Sequence, residues 1–72
     1  MLPIGDRIKL LRKKNHLTQR KLAEIIGVTE VSLQRFEYGT ARPSLDTLIL
    51  LADHFSCSID FLVGRSDDPK RY

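Results

Sequence analysis

Basic side chains gather in the first 42 residues of this 72-residue chain. Nine of its twelve Lys and Arg lie there, against the acids Asp6, Glu24, Glu30 and Glu37, for a net charge of +5. Residues 43–72 hold Arg65, Lys70 and Arg71 against five Asp, for a net charge of −2. Clustered positive charge is the footprint of a surface that neutralises phosphates, although a solvated helix face has the same composition. Other chemistries find few reactants. His16 and His54 fall at the ends of different helical patterns, with no carboxylate pair at metal-ligand spacing. His54 and Cys57 are three apart but span a helix end. Cys57 is the only cysteine, so an intrachain disulfide and a four-Cys zinc site are excluded, and it reads as a small apolar core residue. There is no glycine-rich phosphate loop. No enzyme activity, metal or cofactor is expected.

A chain of this length buries only about 60% of its unfolded surface, so one domain with a modest core is the limit. No apolar run approaches the ~18 residues of a membrane span. The apolar start at Met1–Ile4 is too short for a signal peptide and is followed at once by Asp6, Arg7 and Lys9. These features read as a cytoplasmic protein that does not enter a membrane. Residues 1–64 read as the domain and 65–72, RSDDPKRY, as a loosely ordered polar tail.

The elements that must position the basic groups centre on residues 19–37, QRKLAEIIGVTEVSLQRFE. Leu22, Ala23 and Ile26 put one apolar face on a helix over Gln19–Ile26, and Leu33 and Phe36 do the same for Glu30 to about Tyr38. Gly27 suits the end of the first helix, Thr18 and Thr29 suit N-caps, and Ala23 allows a close crossing. Two helices joined by a short turn containing glycine describe a helix-turn-helix or an ordinary αα-hairpin. Before them, Ile4, Ile8 and Leu11 mark a helix from about Pro3 or Gly5 to Lys14, with Arg7, Lys9, Arg12, Lys13 and Lys14 on its remainder. Asn15-His16 turns the chain. After the loop GTARPS, Ser44 caps a fourth helix whose inward stripe is Leu48, Leu51, Ala52 and Phe55. Ser58 caps a fifth over Ile59–Val63, ended by Gly64.

Three segments, LTQRKLAEIIGVTEVSLQRFEYG, ARPSLDTLILLADHF and SIDFLVGRSDDP, resemble the lambda-repressor-like, Cro/cI-type (XRE family) helix-turn-helix domains over nearly the whole chain. The resemblance implies an all-α, compact five-helix bundle. It also implies sequence-specific binding of double-stranded DNA by a bacterial or phage transcriptional regulator, with the third helix in the major groove and the second bracing it. Its base-contacting positions fall on Glu30, Val31 and Arg35, flanked by Ser32 and Gln34. Its backbone-contacting positions fall on Gln19 and on Thr40, Ala41 and Arg42, and Arg12 and Glu37 match a structural ion pair. Val31, Ala41 and Leu50 depart from residues that are commonly polar or charged in the family.

The side chains carry matching chemistry. Gln19, at a helix N-terminus, can hold a phosphate. Arg35 can bind guanine O6 and N7 bidentately or contact a phosphate, and Val31 can meet a thymine methyl. Glu30 can accept from cytosine N4 or simply favour the positive end of the helix dipole. Arg20 and Arg42 are candidate phosphate neutralisers. One short recognition helix reads few base pairs, so a symmetric homodimer on a pseudo-palindromic operator is expected, with Ile49, Leu50, Phe61 and Val63 as candidate contacts. The alternative is an antitoxin-type protein-interaction module that also binds DNA.

Overall fold

Four of the five helices begin in the same way. The computed structural model describes residues 3–70 and contains α1 (Ile4–Lys14), α2 (Gln19–Ile26), α3 (Glu30–Tyr38), α4 (Leu45–Phe55) and α5 (Ile59–Leu62). Before α2, α3, α4 and α5 stand Thr18, Thr29, Ser44 and Ser58. Each hydroxyl accepts from the backbone N–H three residues on, at 3.0, 3.0, 3.2 and 3.0 Å. Each such bond satisfies an orphan N–H and is worth about 1 kcal/mol, which matters for helices this short. α2 and α3 end on Gly27 and Gly39 at φ 74° and 83°, a conformation that costs a residue without Cβ little. α1 and α4 end without glycine; His16 and Ser56 take left-handed φ of 58° and 52° instead.

α1 packs on α3 and α5, α2 on α3 and α4, and α4 on α5. Ile8, Leu22, Leu33, Leu51 and Leu62 are wholly buried at the centre, with Cys57 beside them as a small apolar filler. On α4, Leu51 and Ala52 are buried while Leu48 and Phe55 are half-buried at the rim. No helix among the described residues is long and apolar enough to cross a membrane.

Four sequence expectations need correction. Phe61 is core, at 7% exposure, and offers almost no surface to a second molecule. Arg7, expected on the solvated remainder of α1, is buried at 4% exposure with its guanidinium 4.3 Å from the centroid of the Phe61 ring. Residues 65–70 are pinned rather than loose. The Arg65 and Ser66 N–H groups donate to the Asp60 carbonyl, the Ser58 N–H donates to the Pro69 carbonyl, and Arg7 pairs with Asp67. Arg71 and Tyr72, the end of the expected tail, lie outside the described residues. α5 is one residue shorter than expected, because Val63 is already its C-cap.

Gly5 brings α1 against the end of α3. A Cβ added there would stand 2.4 Å from the Phe36 carbonyl oxygen and 2.7 Å from that of Glu37, both backbone atoms with little room to yield. Gly5→Ala should therefore destabilise the fold by about 1–3 kcal/mol, although alanine is the better helix former. Urea unfolding checks this; an unchanged or higher midpoint would show that α1 and α3 separate freely.

Candidate nucleic-acid interface

α3 is held at its C-terminal end and free at its start. Glu37, on its inner side, keeps its side chain at 4% exposure, and a carboxylate so buried must be fully partnered. Arg12 of α1 supplies two bonds, Nε to Oε2 at 2.7 Å and Nη2 to Oε1 at 3.1 Å. Its third donor, Nη1, reaches the Leu17 carbonyl at 2.9 Å, just before α2. Gln19 of α2 completes the group by donating Nε2 to Glu37 Oε1 at 3.1 Å. A carboxylate only accepts, so the amide nitrogen must be the end that faces it. One buried carboxylate thus ties α1, the α1–α2 turn and α2 to α3.

Gln19 is accordingly not the free phosphate ligand that its place at a helix N-terminus suggests. One amide hydrogen is committed to Glu37, which leaves the other, with the unpaired backbone N–H groups of the first turn, to face outward. Arg20 is exposed and only loosely paired with Glu24, at 3.9 Å, a contact worth little in water.

The opposite side of α3 is open. Glu30, Val31 and Arg35 are exposed, Val31 at 54%, while Ser32 and Gln34 are half-buried. Ser32 is partly spent on the cap, since its hydroxyl accepts from Thr29 Oγ1 at 2.9 Å. The Arg35 carbonyl accepts the N–H groups of Gly39, Thr40 and Ala41 at 2.9, 3.0 and 3.3 Å, which folds the loop back beside the helix. Thr40 and Arg42 are exposed on that loop, whereas Ala41 packs on the core, a physical reason for a small apolar residue there. Arg35 and Arg42 form no ion pair among the described residues. Both charges are available to a ligand.

Sequence reasoning missed Lys9 and Tyr38. With Gln19 and Glu37 they line a shallow cleft of about 70 Å³ where α1, α2 and α3 meet. Tyr38 is an aromatic residue at a helix end, more exposed than any other large apolar residue described.

A family model described as "Helix-turn-helix" matches residues 8–62. The chain belongs to the helix-turn-helix family. Within it the likeness is to XRE, Cro/cI-type regulators. The uncharacterized HTH-type transcriptional regulator YobD of Bacillus subtilis is 40% identical over 64 residues, covering 89% of this chain and 57% of that protein. Antitoxin PezA of Streptococcus pneumoniae is 39% identical over 61 residues, covering 85% of this chain and 39% of that protein. The P22 c2 repressor, solved in complex with synthetic operator 9T, superposes with a TM-score of 0.84 at 29% identity, covering 92% of this chain and all of that one. The chain spans about half the length of the curated relatives it matches first. All five helices thus form a lambda-repressor-like helix-turn-helix domain.

Arg12→Ala would leave Glu37 buried without a counter-charge and with only the Gln19 amide donating to it, so it should cost about 3–5 kcal/mol in stability. Denaturant unfolding of the variant measures this, and a loss below about 1 kcal/mol would mean that Glu37 escapes to solvent.

Proposed function

We propose that this chain binds double-stranded DNA sequence-specifically and regulates transcription in a bacterium or phage. The observation that carries the reading is the asymmetry of α3. Its inner side is fixed by a buried three-helix network, and its outer side presents Glu30 and Val31 in the first turn and Arg35 in the last, none of them in a side-chain hydrogen bond or ion pair among the described residues. A helix held in this way can enter a major groove without reordering, and its first turns meet the base edges. The fold likeness to the operator-bound P22 c2 repressor supports the same placement.

Within it the roles divide by chemistry. Arg35 reads guanine, Val31 packs on a thymine methyl, and Gln34 and Ser32 flank them with amide and hydroxyl. Glu30 opens α3, where its charge favours the helix dipole, and it also accepts from cytosine N4 when one is opposite. Gln19, Arg20, Thr40 and Arg42 grip the phosphates on either side. A cytoplasmic location goes with this reading, and no catalytic step is part of it. The antitoxin reading draws on the likeness to PezA; it adds a protein partner to the same DNA-binding surface.

Two copies related by a two-fold axis would double the readout, with recognition helices about 34–36 Å apart. The outward face of α4 supports this arrangement. Ile49 and Leu50 are exposed there, Leu50 at 48%, and Leu45 extends the apolar strip one turn back. Val63, half-buried, lies instead beside Pro3, Ile4 and the loop after α3, and Phe61 is consumed by the core, so neither extends this strip.

Titration of a duplex selected from a randomised pool, over a series of salt concentrations, tests the assignment. Arg42→Ala should weaken selected and scrambled duplexes alike and lower the salt slope by about 1, whereas Arg35→Ala should relax preference at one base pair by about 1–3 kcal/mol. Equal losses on both duplexes for Arg35→Ala would make it a phosphate contact. Analytical ultracentrifugation of wild type and Leu50→Glu with a palindromic site tests the dimer. Two copies per site for wild type and fewer for the variant are expected. One wild-type copy per full site would overturn the dimer, and a normal variant would remove Leu50 alone.

A further inference from the structure

Arg7 is a buried charge that takes no part in the DNA-facing surface. Its guanidinium lies against the Phe61 ring at 4.3 Å, Nη2 donates to Asp67 Oδ1 at 2.5 Å, and Nε, also buried, has no hydrogen-bond partner. The pair is lopsided: the Arg7 side chain is 5% exposed and that of Asp67 is 85% exposed. Nearly all the desolvation therefore falls on the arginine, and a single solvated carboxylate answers it. The backbone fixes that carboxylate in place. Arg65 and Ser66 are bonded to the Asp60 carbonyl, the Asp68 N–H donates to Ser66 Oγ at 3.0 Å, and the Pro69 carbonyl accepts from Ser58.

The place of Arg7 on α1 gives this pair reach. Gly5 and Arg12, seven residues apart, share the face of α1 that meets α3: one lies against the Phe36 and Glu37 carbonyls and the other grips the Glu37 carboxylate. Arg7 is turned away from that face, toward α5 and residues 65–70. An eleven-residue helix is a stiff rod about 16 Å long, so its seating on one side sets its seating on the other. We infer that Arg7 and Asp67 are a positioning pair for α3. Residues 65–70 act as a strap that seats α1 against α5, and α1 in turn holds the last turn of the recognition helix. The strap is then part of the binding machinery although it lies outside the DNA-facing surface. The consequence for affinity rests on the DNA-binding reading above; the mechanical coupling does not.

The test compares wild type, Asp67→Asn and Asp67→Glu by amide hydrogen exchange on the free protein, and by affinity for the selected duplex. Asp67→Asn should speed exchange about tenfold in residues 65–70 and also at Phe36–Tyr38, with α2 unchanged. Asp67→Glu, which keeps the carboxylate, should restore the wild-type pattern. Affinity for the selected duplex should fall about three- to tenfold in Asp67→Asn with the salt slope unchanged, since no phosphate contact is lost. Faster exchange confined to 65–70 would overturn the coupling. So would an equal rise throughout α2 and α3, which would mark a loss of global stability only, or a failure of Asp67→Glu to restore the pattern. Exchange involves no DNA, so a protein that bound no duplex would defeat the functional reading and leave the coupling decidable.

Discussion

A carboxylate out of water is the constraint on which this fold turns. Glu37 stands near the end of α3 and is almost wholly buried, so its charge has to be met by fixed donors. Arg12 meets both oxygens, turns its third nitrogen to the chain before α2, and shares one oxygen with Gln19. An ion pair of this kind is a weak source of net stability, because desolvating the two charges offsets much of their attraction. Its effect lies in geometry. A planar guanidinium fork and a carboxylate fit one another in few orientations, so three helices are held at one relative angle.

The other devices of the fold serve short helices. None exceeds eleven residues, below the length at which a helix is stable alone in water. Hydroxyl caps satisfy the N-termini of α2 to α5, and left-handed residues close the C-termini of α2, α3 and α4. The apolar core is small, and α1 gains further hold through Gly5 on one side and Arg7 on the other. Rigidity at the base of α3 and freedom at its start follow from the same arrangement. The exposed side chains of Glu30, Val31 and Arg35 on α3 are those that no hydrogen bond or ion pair claims among the described residues.

Local chemistry made most of the fold legible in the sequence. Hydroxyl residues before apolar periodic runs and glycines after them mark helix ends through contacts within a few residues, and the five helices stand within about a residue of where those signals put them. Long-range pairings were less visible. Arg12 with Glu37 came from resemblance to a family, since nothing in a separation of 25 residues announces it. Arg7 was misplaced because charge alone assigned it to solvent. Its spacing from Ile4 and Leu11, three and four residues, already placed it beside the apolar stripe, but its partner lies 60 residues away. The order of residues 65–70 depends on that partner and could not be read from a polar composition. Phe61 shows the reverse error: on a four-residue helix, periodicity is too short to tell an inward aromatic from an outward one. At the interface, the exposed positions on α3 were legible, whereas the turning of Gln19 toward Glu37 was not, because it needs the third dimension.

On the proposed reading, α3 and its flanking loop form the face that meets DNA while α4 and α5 stay behind it. Amide chemical-shift mapping of the protein titrated with its selected duplex measures this directly. Perturbations should concentrate at residues 19–21, 30–35 and 39–42. Perturbations concentrated along 45–63, with 30–35 unmoved, would contradict it.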